Sequence, residues 1–228
     1  SYEEQFIEKK NLIVEKNLAG DVDNLTQILR KIAGQSRRSS DFTINGLKRA
    51  LAEVLRVFPV YRTYVNGDGL SEQDRGYIEE AIAQAKERIP LLVNELNYIE
   101  KLLLLQWEQS LTEDEKADRL HFVMRMQQLS GPLMAKGIED TLFYVYNRHL
   151  ALNEVGGHPG KFGITAEDFH EFNQHQNLAW PHKMNATATH DTKRGEDVRA
   201  RLQVLSEIPE EWEKQVKTWS EINLPKKS

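Results

Sequence analysis

The sequence predicts a mainly α protein. Apolar residues recur at helical spacing through most of its 228 residues, and the 13 glycines and 7 prolines gather at a few breaks. The regular alternation of strand and helix patterns that marks a complete parallel sheet is missing from the chain.

Each element has its own reason. Glu3 to Leu18 sets Phe6, Ile7, Leu12, Ile13, Val14 and Leu18 among charges, a broad apolar stripe that Gly20 is expected to end. Asp21 or Asp23 then caps a helix with Leu25, Ile28, Leu29 and Ile32 on its apolar face. Gly34 to Asp41 reads as a polar loop, and Thr43 to Phe58 as an amphipathic helix stopped by Pro59. Val60 to Val65 has strand propensity and is followed by the turn Asn66-Gly67-Asp68-Gly69. Ser71, with Asp74 three residues on, caps a helix to about Ile89. Pro90 either opens a further helix to Trp107 or kinks a single longer one. Thr112 and Glu115 form a capping box for a helix ending near Gly131, and Pro132 is expected to open the next, to about Leu150.

Beyond Leu150 the character changes. Asn153 to Gly163 holds four glycines and a proline and reads as a loop. Thr165 with Asp168 starts a short helix, and Trp180-Pro181 breaks the chain again. Asn185 to Thr189 is small and β-compatible; a helix from Gly195 or Glu196 to about Leu205 follows, and Pro209 opens the last helix.

Composition narrows the function. Thirty Lys and Arg against 35 Asp and Glu leave a net charge of -5, which argues against a dedicated nucleic-acid binder. The small basic pair Arg37-Arg38 is what favours such a helical DNA-binding reading. Zero cysteines exclude disulfide scaffolds, zinc-thiolate sites, iron–sulfur clusters and thiol nucleophiles. The longest apolar run, Leu102 to Leu105, is too short to span a bilayer, so no membrane partner is expected. Phosphate-cradling glycine loops and the G-x-S-x-G elbow are missing from the sequence. Seven histidines occur without an i, i+4 pair, and no metal or cofactor is expected; His170 and His175, five apart, face away from each other.

Two stretches carry polar groups that a plain helical domain does not need. Leu133 to Arg148 puts Lys136, Glu139, Asp140 and Arg148 beside Phe143, Tyr144 and Tyr146. It reads either as a helix with core aromatics and solvated charges, or as a sugar-binding edge. Asn185 to Asp197 ends a short β-compatible run in His190-Asp191, with Lys193, Arg194, Glu196 and Asp197 directly after. A polar cluster between strand and helix is where α/β barrels put active-site groups. The alternative is an N-cap with first-turn acids.

These stretches resemble the maltooligosyl trehalose synthase ((1→4)-α-D-glucan 1-α-D-glucosylmutase) family, in the α-amylase superfamily of (β/α)8 barrels. The matching words are FPVYRTYV (Phe58 to Val65), SGPLMAKGIEDTLFYVYNR (Ser130 to Arg148), LNEVGGHPGKFG (Leu152 to Gly163), WPHKMNATATHDTKRGEDVRARL (Trp180 to Leu202) and VLSEIPEEW (Val204 to Trp212). The resemblance implies that Asp191 is the third catalytic carboxylate, at the end of the seventh barrel strand, and His190 a sugar-hydroxyl ligand. Lys193 and Arg194 at the same rim, and Lys136 and Glu139 in the AKG-ED word, are implied substrate contacts. Gly195 and His158 depart from the Ser and Asp expected there. The G-x-R-x-D word that carries the superfamily's nucleophile does not occur.

The resemblance therefore implies an internal fragment of a longer isomerase of trehalose biosynthesis, opening on Ser1. Residues 1–130 would be a helical insertion or subdomain. Residues 131–228 would be a barrel-associated segment with the His-Asp motif, a short strand-helix piece and C-terminal helices. The implied partners are a maltooligosaccharide and the rest of the parent barrel, and the implied location is the cytoplasm. The isolated chain is expected to be inactive. The rival reading is a non-catalytic helical interaction or scaffold module.

Overall fold

The computed structural model describes residues 1–37, 39–108 and 110–227. They divide into two compact units, one built on Glu3–Leu142 and one from Phe143 onward. Arg38, half of the basic pair, lies outside the described residues. Among the described residues no strand forms, and no helix is long and apolar enough to cross a membrane.

The first unit contains α1 (Tyr2–Lys16), α2 (Ala19–Ala33), α3 (Ile44–Val57), α4 (Glu72–Arg88), α5 (Val93–Leu103) and α6 (Glu113–Met134). Oxygen-bearing caps start four of them, two of which, Ser71 and Thr112, the sequence leads one to expect. Thr43 accepts from Gly46 N–H, Ser71 from Asp74 N–H, and Ser1 and Thr112 close capping boxes with Glu4 and Glu115. Helix α3 is the central element: Leu47, Ala50, Leu51, Val54 and Leu55 are fully buried, and α2, α4 and α5 pack around it. Helix α6 adds Phe122, Val123, Met126 and Leu133 to the same core. Burying a side chain of this size contributes about 1.5–3 kcal/mol, so these apolar stripes hold the unit together.

Three expectations are corrected here. Gly20 does not end α1; the helix stops at Asn17, where Leu18 N–H bonds back to Ile13 O, and Gly20 falls in the first turn of α2. Pro132 does not open a helix. It sits inside α6, where it leaves one helical donor missing, and the chain then widens into a π turn over Ala135–Glu139. Asp140 N–H closes that turn on Ala135 O at 2.9 Å, and regular helix goes no further. Val60 to Val65 is not a strand, because no neighbouring strand offers a ladder. Instead α6 takes that place: Gln127 Oε1 accepts Val65 N–H at 2.7 Å, Gln127 Nε2 donates to Val65 O at 2.9 Å, and Ser130 Oγ donates to Tyr61 O at 2.8 Å. A side-chain amide thus completes both backbone hydrogen bonds of Val65, which a buried chain cannot leave unmade.

The second unit contains α7 (Ala166–Ala179), α8 (Glu196–Val204) and α9 (Pro209–Asn223). Thr165 and Asp168 form the capping box that the sequence predicts. None of these three helices contains a buried residue. Asn185 to Thr189 has no strand neighbour either, and Arg199 donates to Thr187 O in place of one.

One buried charge stands out in the first unit. Lys10 on α1 is 1% exposed, donates to Phe58 O at 2.9 Å and lies 4.9 Å from the centre of the Phe6 ring. Gly137 makes room for it, since a Cβ there would come within 3.1 Å of Lys10 Cγ and 3.2 Å of its Cα. Burial pushes the Lys10 pKa down to about 7. Between about pH 7 and the ordinary lysine value of 10.5 the unfolded chain holds a proton that the folded chain lacks. Stability from this group therefore rises with pH across that window, by at most about 1.4 kcal/mol per unit. We predict that Lys10→Met flattens the rise in urea midpoint between pH 7 and pH 9; parallel profiles for the two proteins would refute the assignment.

Candidate functional site

In the second unit the site is built on the loop Asn153-Glu154-Val155-Gly156-Gly157. Asn153 is 1% exposed, and its amide donates to Phe143 O at 3.0 Å and Tyr146 O at 2.5 Å. Gly157 N–H then closes on Glu154 O at 2.7 Å. A Cβ at Gly157 would fall 2.8 Å from two backbone oxygens, Glu154 O and Leu152 O, so only glycine fits this turn.

The loop aims Glu154 at the chain that follows the His-Asp pair. Glu154 Oε1 accepts the Lys193 N–H at 2.6 Å and the Val155 N–H at 3.0 Å, and Oε2 accepts the Arg194 N–H at 3.2 Å. The Arg199 guanidinium lies 4.0 Å from Oε2. Burial raises the Glu154 pKa, but the three backbone donors and Arg199 outweigh it and hold the carboxyl below the ordinary carboxylate range. Charge-assisted bonds of this kind are about twice as strong as neutral ones.

The turn upstream is closed by threonines. Thr192 N–H bonds to Thr189 O at 3.3 Å, Thr192 Oγ1 donates to the same oxygen at 2.8 Å, and Thr189 N–H bonds to Thr192 Oγ1 at 2.7 Å. His190 and Asp191 form the exposed tip. Asp191 has φ +66°, a left-handed conformation that Asp tolerates better than most residues. The Lys193 side chain is only 5% exposed, and its Nζ lies 3.9 Å from Asp191 Oδ1 and 6.0 Å from the Tyr144 ring centre. Arg194 reaches back to Asn153 O at 3.4 Å. His190, Asp191, Lys193 and Arg194 thus share one short anchored segment. Its exposed carboxylate, beside a cation, can accept hydrogen bonds from ligand hydroxyls.

The other two expected site residues share the π turn of the first unit. Lys136 Nζ bonds Asp140 Oδ2 at 2.7 Å and is exposed. Glu139 is buried and accepts the Tyr61 hydroxyl. The π turn puts Lys136 at the surface and Glu139 inside, so the two do not face the same environment. Among the described residues no group of three or more His, Asp or Glu is arranged to hold a metal ion.

Sequence reasoning missed Glu154, Asn153 and Tyr61 as site-building residues. An Asn-Glu pair one residue before two glycines was the available signal, because such a loop lets a carboxylate reach neighbouring backbone N–H groups.

No protein-family profile matches the chain. The class of protein it is similar to is that of the glycosyltrehalose synthases, a solved member of which aligns over 97% of the chain at 30% identity with a TM-score of 0.62. The particular likeness is to maltooligosyl trehalose synthase. The structure of that enzyme from Arthrobacter ramosus matches 92% of this chain at 32% identity with a TM-score of 0.72. A hypothetical maltooligosyl trehalose synthase from Sulfolobus tokodaii matches 97% at 28% identity and a TM-score of 0.66. A Mycobacterium tuberculosis protein provisionally given the same name is 50% identical over 91 residues, or 40% of this chain and 12% of its own length. These findings bear out the resemblance read from the sequence words and the mainly α fold. The chain spans 24% of the length of the Arthrobacter structure.

The anchoring role of Glu154 has a direct test. Glu154→Gln keeps the size but removes the charge that the Lys193 and Arg194 amides share. We predict that hydrogen exchange of these two amides accelerates by about tenfold or more, which corresponds to about 1.4 kcal/mol. Unchanged protection would mean that the turn is held by other contacts.

Proposed function

We propose that the chain is a segment of a maltooligosyl trehalose synthase and carries one of its catalytic carboxylates, Asp191. The reaction is an intramolecular transglycosylation that turns the reducing-end α-1,4 linkage of a maltooligosaccharide into an α,α-1,1 linkage. The observation that carries this reading is the anchored Thr189–Thr192 turn. It presents His190-Asp191 above Lys193, within words shared with that family.

A retaining reaction of this type needs two further carboxylates about 5 Å apart, a nucleophile and an acid/base. The nucleophile attacks the anomeric carbon while the acid protonates the departing O4 of the terminal glucose. That glucose turns round; its anomeric O–H gives its proton to the same acid/base group, and the oxygen attacks the glycosyl-enzyme carbon. The two inversions give net retention. Asp191 and His190 hold hydroxyls of the reacting ring, and the Asp191 contact strengthens as the ring flattens toward the oxocarbenium-like state. Lys193 positions the Asp191 carboxylate. Arg194 belongs to the substrate-binding surround of Asp191; in the first unit Lys136 is a further substrate contact, and Glu139 positions Tyr61.

The sequence lacks the G-x-R-x-D word for the nucleophile, so the remaining carboxylates must come from the rest of the parent barrel. The second unit supports this. Phe169, Phe172, Trp180, Val198, Val216 and Ile222 are all more than 40% exposed, an apolar surface that needs a cover. We take the location to be cytoplasmic, in keeping with the absence of cysteine.

We predict that the isolated chain has no turnover on maltooligosaccharides, and that Asp191→Asn in the complete enzyme lowers kcat at least about 100-fold. Conversion by the purified chain, or a variant altered only in KM, would contradict the assignment.

A further inference from the structure

The first unit contains an open groove of about 1080 Å³ whose lining includes none of the residues assigned to the reaction. Its floor is one stripe of α5: Asn94, Asn97, Tyr98 and Lys101 lie at i, i+3, i+4 and i+7, so all four point the same way. The loop between α2 and α3 forms one wall and brings Phe42, whose ring lies 5.7 Å from that of Tyr98. The loop after α5 forms the other wall with Gln106 and Trp107.

That second wall is held at a cost. Gln106 N–H bonds to Lys101 O at 2.8 Å and Leu105 N–H to Leu102 O at 3.1 Å, a helix ending that puts Leu105 at φ +56°. Glycine normally occupies this left-handed position, and a leucine there costs about 1–2 kcal/mol. The turn swings Gln106 and Trp107 over the groove, and strain of this kind gathers at functional sites.

The chemistry of the lining is that of a neutral polyhydroxyl ligand. The side-chain amides of Asn94, Asn97 and Gln106 make no hydrogen bonds among the described residues, and each offers donors and an acceptor, as sugar hydroxyls require. Among the described residues the Tyr98 hydroxyl is buried without a hydrogen-bond partner, and nearby Ser39 donates its own proton to Ala33 O at 2.7 Å. Burial pushes the Tyr98 pKa up, so the group remains a neutral donor. The Trp107, Phe42 and Tyr98 rings offer apolar faces for pyranose rings. Arg119 at the edge is already engaged by Gln35 Oε1 at 3.0 Å and Glu115 O at 2.8 Å, and the cations Arg37 and Lys101 are matched in the lining by Glu108 and Glu115.

We propose that this groove of the first unit is a second saccharide-binding site, which takes a linear α-1,4-glucan chain. The choice of an α-1,4-glucan rests on the function proposed above; the saccharide chemistry rests on the groove itself. A groove at the upper end of the volume range for ligand sites has room for several sugar units.

The test is an NMR titration of the full 228-residue chain with maltohexaose. Saturable shifts are expected at the Asn94 and Asn97 side-chain amides and the Trp107 indole. Trp107→Ala should weaken binding about tenfold or more, and Asn97→Ala, on the exposed face of α5, should weaken it without disturbing the fold. Asp191→Asn should leave it unchanged. Absence of binding, or binding lost in Asp191→Asn but kept in Trp107→Ala and Asn97→Ala, would overturn the groove site. Neither result would bear on the catalytic role of Asp191, which is read from kcat. Equal affinity for cellohexaose would overturn the α-1,4 choice.

Discussion

Backbone polar groups in a chain without strand neighbours must find partners elsewhere, and this constraint organises both units. Side chains replace the missing ladder. Gln127 pairs with both backbone groups of Val65, and Ser130 holds Tyr61. Asn153 ties Phe143 to Tyr146, Glu154 takes the Lys193 and Arg194 amides, and Arg199 reaches Thr187. The buried ones, at Val65 and at Phe143 and Tyr146, supply hydrogen bonds that would otherwise cost about 1–3 kcal/mol each when left unmade.

The consequence for function is rigidity without a sheet. In the role proposed for Asp191, a carboxylate that holds a sugar ring in a distorted state gains little if its own backbone moves. The doubly closed threonine turn and the Glu154 anchor fix Asp191 locally, and Lys193 lies beside it. None of the three α-helices of the second unit has a buried residue, whereas the first unit has a dense core around α3. The two halves differ in this respect because the first satisfies its own apolar surface. The amphipathic helices of the second leave theirs uncovered, as expected of elements built to pack on something further.

Much of the fold was legible in the sequence. Ser71, Thr112 and Thr165 mark helix starts because the caps are local chemistry, and the stripes of α2 and α3 predict which faces are buried. Two of the misreadings concern breakers that do not break: Gly20 has nothing within 4 Å of an added Cβ and is simply carried in α2, and Pro132 lies one turn before the π turn that ends the helix. The strand propensity of Val60 to Val65 was real, but a strand needs a partner, and the partner is a glutamine 62 residues away. Such pairings cannot be seen in local pattern. The His-Asp pair and the cations after it were visible as a motif; Glu154, which anchors them from 39 residues upstream, was not.

The central claim is that this chain is a working part of a larger transglycosidase. The most direct measurement replaces the matching segment of the Arthrobacter ramosus synthase with this chain and follows loss of reducing ends from maltohexaose. A folded chimera that converts maltohexaose to a non-reducing product at a rate within about tenfold of the parent is the predicted result. A chimera that folds with native-like stability yet forms no such product would contradict the account.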